Sequence, residues 1–473
     1  MLLDTGTPAS AGPRIGRPML LALAACVALA ALSLLVPSAP TYDPWAWIIW
    51  GREITQLDLD TVTGPSWKPL PVFFTILFAP LGNIAPELWV LVARAGALLA
   101  MVFAFRLGRR LGGNVVAGAA AAGALAIAPW WLRNAMLANS EGLMVACVLG
   151  GIDRHLAGRR GEAFAWFLGA ALLRPEAWPF FGLYGLWLVW AHRDRLVLVA
   201  AGFASLPALW LLPELWGSGN LLRAAERAQQ PRADSAAFAP NPVRVVLDNA
   251  TAMLPWPAWI GLLVALVALA AHRRAWAPRA PREARLAVGA IIVVALAWIA
   301  LVAYMTSDGF SGNQRYLVTP VALLCIAAAA GLGWGARRLG VPTAGPAAIA
   351  AAVAAFVLLV SPALPELRKN WDSLMYQGEL HTQLEDLVAD AGGREPLLRC
   401  GTPVTGDFLV PALAWQLGVH AEQVELEAAP GTVIFRVHTN PGSRAVPPLT
   451  GVEDVPVRTL GSTRDWRIVA ACG

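Results

Sequence analysis

Charge is scarce in this chain, and lysine is almost absent. Only 14% of the 473 residues are Asp, Glu, Lys or Arg, and Lys68 and Lys369 are the only lysines. A soluble protein of this length covers its core with polar side chains, and a chain that is 57% hydrophobic has too few of them. The composition therefore excludes an ordinary soluble enzyme and predicts a multi-pass protein of the cell membrane.

Motifs for nucleotide and metal chemistry are missing as well. The sequence has no Walker loop, no GxSxG, no HExxH and no dinucleotide fingerprint, and its six histidines are scattered. The arginines lie in short clusters between apolar runs, which is typical of membrane topology rather than of nucleic-acid binding. We therefore predict no ATP-driven work, no nucleic-acid partner and no metal cluster, and we leave open whether a divalent metal takes part.

Long apolar runs predict the membrane-spanning helices. The runs are 19–37, 86–105, 114–131, 141–156, 196–213, 253–271, 286–304, 317–335 and 343–361. The first is longer than the apolar region of a signal peptide, so we interpret it as a retained span rather than a cleaved leader. Residues 163–191 contain two shorter apolar pieces, which predict a bent hairpin with a shielded polar elbow. The sequence therefore predicts an all-α membrane bundle of about eleven spans.

The basic clusters predict the orientation of these spans. Successive arginine clusters fall on alternate sides of the predicted spans, and all of them lie inside if the N-terminus is cytoplasmic. The predicted parts are then a cytoplasmic N-terminus (1–18), a transmembrane domain (19–361) with its first external loop (38–85), and an extracytoplasmic domain (362–473).

The composition changes near residue 362, where the long apolar runs stop. Residues 366–392 predict an amphipathic helix, and the segments PLLRC, QVELEA, TVIFRVHT and DWRIVAAC predict short strands. We therefore expect a small C-terminal α/β domain outside the membrane. Cys400 and Cys472 both lie in it, on the oxidising side, and we predict that they form a disulfide, with two free thiols as the alternative.

Several polar residues lie close to the predicted membrane, where each charge needs a partner or a purpose. They are Asp43, Lys68, Arg133, Glu141, Arg174, Glu176, Arg315 and Tyr316. Asp43 follows the first span, and Lys68 lies in the proline-rich stretch that ends the same external loop. Apart from Arg174 and Glu176, which form the elbow, all fall on the predicted external side. We therefore expect a charged site that faces that compartment.

Structural roles are the alternative for several of these residues. Arg174 and Glu176 can pair with each other or with Glu141 and so fasten the bundle. Arg133 can anchor the chain by reaching lipid headgroups. Glu53 can be a solvated loop charge. An interfacial aromatic belt, or a platform for a sugar or lipid, is the expectation for Trp45, Trp47 and Trp50.

The order of several motifs resembles a known superfamily. They are YDPW, WKPLP, WVLVARAGALLAMVFAFRLGRRLGG, WWLRNAMLANSEGLMVA, LLRPEAWPF and NQRYLVTPVALL. In this order, over residues 19–335, they resemble the GT-C superfamily of membrane glycosyltransferases. The likeness is greatest to the branch that holds protein O-mannosyltransferases, lipid A aminoarabinose transferases and the RgtA/B/C/D-like proteins.

The resemblance implies a transferase for a hexose or a pentose. It would take the sugar from a polyprenyl-phosphate donor in the membrane and pass it to a cell-envelope glycan, lipid or protein on the outer face. The essential acid of the family falls on Asp43, and Pro44 stands where the family often has a second acid. The Lys-Pro-Pro pattern of the aminoarabinose branch becomes KPLP at 68–71.

Such a donor needs one carboxylate rather than the two of a glycosidase, because polyprenyl phosphate is already a good leaving group. We expect Asp43 to be the general base that takes the proton of the acceptor hydroxyl. Lys68 and Arg315 would stabilise the charge on the departing phosphate. Binding of the sugar or acceptor, or orientation of other side chains, is expected of Tyr42, Glu53, Arg133, Glu141, Arg174, Glu176 and Tyr316.

Two other functions fit the same features. A transporter or flippase for a lipid-linked glycan also uses embedded charges and broken spans, although paired halves are not visible and the charges gather at the external rim. An inactive GT-C-like scaffold that binds glycans is the third reading, and the Asp-Pro pair at 43–44 favours it.

Overall fold

The fold is described from a computed structural model of the chain, in which residues 16–38, 40–274, 278–341, 345–350, 353 and 364–472 are described. The structure is 70% helical, and the described residues form eighteen α-helices and one four-stranded sheet. Fifteen of these helices lie before residue 340, and three follow it together with the sheet.

The first fifteen helices form one bundle. They are α1 (Arg17–Ser33), α2 (Tyr42–Thr55), α3 (Pro69–Phe78), α4 (Ala85–Gly112), α5 (Val115–Ala126), α6 (Pro129–Met136), α7 (Glu141–Leu156), α8 (Arg160–Ala171), α9 (Trp178–Ala191), α10 (Leu196–Ser218), α11 (Arg223–Ala228), α12 (Pro242–Met253), α13 (Trp256–Ala270), α14 (Arg282–Ser307) and α15 (Val318–Arg338).

Small residues let the helices of the bundle pack closely. Where α13 crosses α15, a β-carbon added at Gly261 would lie 2.3 Å from the Ala328 carbonyl oxygen. One added at Gly331 would lie 2.0 Å from the carbonyl oxygen of Gly261. Such close approach stabilises helix pairs in lipid, where the hydrophobic effect does not drive one helix against another. α15 is buried along nearly all of its length and is the central helix of the bundle.

Four helical segments are long and apolar enough to cross a membrane: Pro69–Gly112, Arg193–Ser218, Arg282–Ser307 and Gln314–Arg338. Two bent pairs, α5 with α6 at 61° and α12 with α13 at 97°, raise the number to six among the described residues. The prediction of about eleven spans is therefore not confirmed, because one bend divides the run 114–131, the other lies at the start of the run 253–271, and further runs form short helices. The predicted span 343–361 lies mostly outside the described residues.

The segment 163–191 forms the bent hairpin that the sequence predicts. A 3-10 turn, Pro175–Ala177, separates α8 from α9. Arg174 is extended, with φ −150° and ψ 133°, which is the conformation that a following proline favours. Arg174 and Glu176 are 5% and 3% exposed, so protein shields the polar elbow.

The chain after residue 364 forms a separate layer of helices and sheet. Its elements are α16 (Leu364–Asp390), α17 (Arg394–Cys400), β1 (Thr402–Val404), α18 (Val410–Leu417), β2 (Thr432–Val437), β3 (Arg458–Ser462) and β4 (Trp466–Ala470). The strand order is β1-β2-β4-β3, with β1 parallel to β2 and the other pairs antiparallel. Leucines of α16 pack with Phe435, Trp466 and Ile468 of the sheet in one core.

Two of the four strands predicted for this layer are wrong. PLLRC lies in α17, where Pro396 occupies the first turn, a position that tolerates proline, and a five-residue apolar segment does not distinguish helix from strand. QVELEA contributes only an isolated bridge from Val404 to Glu425. TVIFRVHT and DWRIVAAC contain β2 and β4. A disulfide joins Cys400 at the end of α17 to Cys472.

The C-terminal layer sits on α2. The rings of Trp415 and Trp45 are 6.4 Å apart between centroids, and Arg52 donates a hydrogen bond from Nη2 to the Val419 carbonyl at 2.6 Å. The three tryptophans of α2 are 5%, 0% and 2% exposed. The expected aromatic belt or open platform is therefore wrong, because both the bundle and the C-terminal layer cover them; they are Trp45, Trp47 and Trp50.

Candidate active site at one end of the bundle

Asp43 lies in the first turn of α2 between two cations. Its Oδ2 atom accepts a hydrogen bond from Arg315 Nη2 at 2.9 Å and lies 3.5 Å from Lys68 Nζ. The side chains of Asp43 and Arg315 are 21% and 23% exposed, and that of Lys68 is 9% exposed. The structure thus brings together the expected base and both expected phosphate-binding cations, whose roles stay predictions.

Arg315 continues this contact into the bundle. Its Nε donates to Glu141 Oε1 at 2.9 Å, and Glu141 also pairs with Arg174. Arg174 Nη1 lies 3.4 Å from Glu176 Oε1. Glu141, Arg174 and Glu176 are nearly inaccessible, so these pairs fasten α7, the elbow and the start of α15 together. We call the six residues the charged cluster: Asp43, Lys68, Glu141, Arg174, Glu176 and Arg315.

Two aromatic rings lie against cations of the charged cluster. The Lys68 ammonium is 4.9 Å from the Trp47 ring centroid, and the Arg174 guanidinium is 4.8 Å from that of Tyr316. The Tyr316 hydroxyl accepts a hydrogen bond from Ser311 Oγ at 3.1 Å. Tyr316 therefore holds Arg174 and the loop before α15.

Local contacts fix the backbone at Asp43, Arg315 and Lys68. The Thr41 hydroxyl donates to Asn139 Oδ1 at 2.9 Å, which ties the start of α2 to the turn before α7. Asn313 Oδ1 accepts from the Arg315 amide at 3.0 Å and caps the 3-10 turn that leads into α15. Lys68 is extended, as the proline that begins α3 requires.

The charges of the cluster balance, with three acids and three cations. Burial raises the pKa of Asp43, but the charges of Arg315 and Lys68 outweigh it, so the pKa lies below its ordinary value. Burial, followed by the charge of Arg174, lowers the pKa of Lys68 to about 8, against the opposing effect of Asp43. Near neutral pH, Asp43 is therefore an anion and Lys68 is mostly a cation.

A cavity of about 630 Å³ opens beside Asp43 and Arg315. Its lining includes residues of α2, α6 and the start of α15, together with residues 407–426 of the C-terminal layer. The expected site residues on its wall are Tyr42, Asp43, Arg133 and Arg315. The expected site residues that do not line this described cavity are Glu53, Lys68, Glu141, Arg174, Glu176 and Tyr316.

Among the wall residues that sequence analysis does not predict are Arg227, Arg232, Asp407 and Phe408. Arg232 Nη1 lies 3.3 Å from Asp407 Oδ2, and its guanidinium is 4.6 Å from the Phe408 ring centroid. No sequence signal marks this contact, because Arg232 and Asp407 are 175 residues apart. Arginine in a loop of a membrane protein is also typical of topology alone.

Glu53 lies at the other end of α2 from Asp43 and outside the charged cluster. It is 1% exposed, and its Oε2 atom accepts a hydrogen bond from the Asp60 amide at 3.0 Å. Its Oε1 atom is 2.8 Å from His420 Nδ1, and His420 Nε2 is 3.1 Å from Asp58 Oδ2. The expectation of a solvated loop charge is therefore wrong, because the C-terminal layer covers Glu53.

The contact between Glu53 and His420 changes the pKa of both groups. Burial raises the pKa of Glu53 to about 7, although the Asp60 amide and His420 act in the opposite direction. Burial lowers the pKa of His420, but its contacts with Glu53 and Asp58 outweigh this, and the pKa lies above its ordinary value. The contact therefore holds a proton near neutral pH.

In the part of the chain that the structure describes, no three His, Cys, Asp or Glu side chains form a group that could hold a metal ion. The oxygen of Asp43 that faces the cations is shared by Arg315 and Lys68. A divalent metal at Asp43 would have to displace one of them or be held largely by oxygens of a substrate.

The fold and the charged cluster can now be compared with known proteins. No family model matches the chain, and no curated protein matches it in sequence. Solved structures of 15% identity or less match the chain, and this similarity shows the fold alone.

Two similar solved structures are of ArnT from Cupriavidus metallidurans. The form bound to undecaprenyl phosphate matches with a TM-score of 0.56 and 15% identity over 96% of this chain and 98% of that chain. The apo form matches with a TM-score of 0.57 and 14% identity over 96% and 97%. The match includes the C-terminal layer, for which the sequence offers no resemblance.

Proposed function

We propose that this chain is a membrane glycosyltransferase that moves a sugar from a polyprenyl-phosphate donor to a cell-envelope acceptor. The observation that carries the proposal is the position of Asp43, between Arg315 and Lys68 and on the wall of a cavity. The similarity to a structure solved with undecaprenyl phosphate supports this choice of donor.

Asp43 is the general base of the proposed reaction. Its carboxylate takes the proton of the acceptor hydroxyl while the acceptor oxygen bonds to the anomeric carbon of the sugar. The bond between that carbon and the donor phosphate breaks, and polyprenyl phosphate leaves with the electron pair. Direct displacement of this kind inverts the anomeric centre.

Arg315 and Lys68 stabilise the departing phosphate, which gains negative charge in the transition state. In the absence of substrate both cations contact Asp43, and they keep its pKa below the ordinary value. A phosphate bound by these cations competes for their charge, so the pKa of Asp43 rises when the donor arrives. The carboxylate then becomes a stronger base at the moment when the reaction needs one.

Glu141, Arg174 and Glu176 act as positioning residues in this proposal. Glu141 contacts both Arg174 and Arg315, so it fixes the guanidinium that faces the cavity. Tyr316 supports the same chain of contacts, because the Arg174 guanidinium lies against its ring. None of these residues has to touch substrate to influence catalysis.

The predicted topology supplies the compartment of the reaction. With a cytoplasmic N-terminus, the cavity and the C-terminal layer lie on the outer side of the membrane. The lipid donor would enter from the bilayer, and the acceptor would enter from the envelope between α2 and the C-terminal layer.

Sugar transfer in nanodiscs tests the proposal. Purified protein is supplied with undecaprenyl-phosphate pentose or hexose and a membrane extract as the source of acceptors. Wild type should transfer label, and Asp43→Asn should transfer about 10²–10⁴-fold more slowly while still binding undecaprenyl phosphate. Asp248→Asn, which alters an exposed acid of α12, is the matched control and should behave as wild type.

Three outcomes contradict the proposal. Equal transfer by Asp43→Asn and wild type would exclude Asp43 as the base. Movement of the labelled lipid between leaflets without transfer would identify a flippase. Binding of the lipid with neither movement nor transfer, across pentose and hexose donors, would identify an inactive scaffold.

A further inference from the structure

The cavity beside Asp43 contains more positive charge than the proposed donor requires. Its wall has four arginines and two acids, so two positive charges are not balanced by acids of the wall. They are Arg133, Arg227, Arg232 and Arg315, with Asp43 and Asp407. A cavity with low-dielectric walls concentrates such a field and favours an anionic occupant.

Arg315 and Arg232 are already neutralised by acids. Arg315 shares Asp43 with Lys68 and also contacts Glu141. Arg232 lies 3.5 Å from Asp234 and 3.3 Å from Asp407. The surplus charge of the wall therefore lies on the other two arginines.

Arg133 carries the first part of this surplus. It belongs to α6, its side chain is exposed, and it contacts no acid among the described residues. A role as a membrane anchor does not need a cavity, whereas Arg133 lines one. Its guanidinium keeps all five donors for a ligand.

Arg227 carries the second positive charge that no acid of the cavity wall balances. Its Nε donates to the Gly64 carbonyl at 3.2 Å, and its Nη1 donates to the Gln230 carbonyl at 2.9 Å. These carbonyls hold the guanidinium in place but do not neutralise it. Arg227 forms no salt bridge in the described part of the chain, so it is a positioned cation on the cavity wall.

We propose that Arg133 and Arg227 form an anion subsite that binds a phosphate or carboxylate of the acceptor. The inference rests on the proposed function, in which Lys68 and Arg315 bind the single phosphate of the donor. An acceptor with its own anionic group would be held by the subsite while its hydroxyl faces Asp43. Neutral acceptors lack this contact and are disfavoured.

Calorimetric titration of the full chain in phosphatidylcholine nanodiscs tests the subsite. Undecaprenyl phosphate is first added to saturation, so that the donor site is filled. Glucose 6-phosphate and glucuronate are then titrated as phosphate and carboxylate probes, with glucose as the neutral control. Wild type should bind at least one of the anionic probes and should bind glucose at least tenfold more weakly.

Variants identify the residues responsible. Arg133→Ala and Arg227→Ala should each weaken binding of the anionic probe by about tenfold, the effect of one charge-assisted contact. Both should leave the affinity for undecaprenyl phosphate unchanged. Arg244→Ala, which removes an exposed arginine of α12 outside the cavity, is the matched control and should bind as wild type.

Each contrary result is informative. Absence of anion binding in wild type, unchanged binding in both variants, or binding of the probe only when undecaprenyl phosphate is left out would overturn the subsite. Failure of the proposed function looks different, because Asp43→Asn would then keep wild-type transfer whatever the titration shows. Circular dichroism and melting of the variants establish that a lost signal does not come from misfolding.

Discussion

The two acids of α2 lie at opposite ends of the helix and have different partners. Asp43 faces Arg315 and Lys68, which keep it charged. Glu53 faces His420, whose own charge depends on pH. The first arrangement keeps a carboxylate ionised beside a cavity, and the second joins α2 to the C-terminal layer through a contact whose charge depends on pH. The charge state of each acid therefore depends less on its position along the helix than on whether its partner stays charged as the pH changes.

The largest expected effect is a difference in the rate of sugar transfer between variants of Asp43 and of Glu53. Asp43→Asn should reduce sugar transfer by about 10²–10⁴-fold, because a neutral amide cannot take the acceptor proton. Glu53→Gln should keep transfer within about threefold of wild type, because Glu53 does not line the cavity. Initial rates in nanodiscs measure both, and similar losses in the two variants would remove the distinction.

The next effect concerns the stability of the charged cluster. Glu141→Gln removes the acid shared by Arg174 and Arg315 and leaves buried positive charge uncompensated. We expect the free energy of unfolding to fall by about 3–5 kcal/mol, as it does when one partner of another buried ion pair is removed. Thermal melting in detergent checks this, with Asp248→Asn as the exposed control; a melting temperature equal to that of wild type would show that the cluster does not fasten the bundle.

A smaller effect should appear as a pH dependence of the contact between α2 and the C-terminal layer. The pKa values of Glu53 and His420 are both raised in the docked form, so this form binds more protons than the released one. By linkage, the contribution of Glu53 to docking is complete below its ordinary pKa of 4.5, declines as the pH rises, and is lost above about 7.

Hydrogen exchange of amides 419–424 measures this dependence, after correction for the intrinsic effect of pH. Glu53→Gln should flatten the profile, because the amide does not titrate. The surroundings of Asp43 should stay constant over the same range, since its pKa is lowered rather than raised. A rise in protection with pH would contradict the assignment.

The smallest effect concerns Arg52, which donates to the Val419 carbonyl and lies 5.4 Å from the Trp415 ring centroid. Arg52→Ala should weaken docking of the C-terminal layer by about 1 kcal/mol, the usual contribution of one such hydrogen bond. Hydrogen exchange of α18 checks this against Arg244→Ala. No change in exchange would assign the docking to Trp45 and His420 alone.

Much of the bundle could be predicted from the sequence because apolar runs and prolines leave clear signals. The elbow at Arg174 follows from the proline after it. The number of spans could not be predicted, because the bend between α5 and α6 lies within one apolar run and the bend between α12 and α13 lies at the start of another. Short segments such as PLLRC were open to two readings, since five residues fit either a helix or a strand.

The charged cluster could be predicted only in part. Scarcity of charge singles out Asp43, Lys68 and Arg315, and the structure brings them together. Burial of Glu53 and its contact with His420 could not be foreseen, because the two residues are 367 positions apart. The same holds for Arg227 and Arg232, whose type is common in loops and whose significance depends on the cavity.

The seat of the C-terminal layer on α2 has a consequence for the size of what the cavity admits. Residues 407–426 of the C-terminal layer and α2, which carries the proposed base, both line the cavity. The width of the cavity therefore depends on how tightly α18 packs against Trp45 and Arg52. A protein with the same bundle but a C-terminal layer docked in another position would catalyse the same reaction on acceptors of a different size.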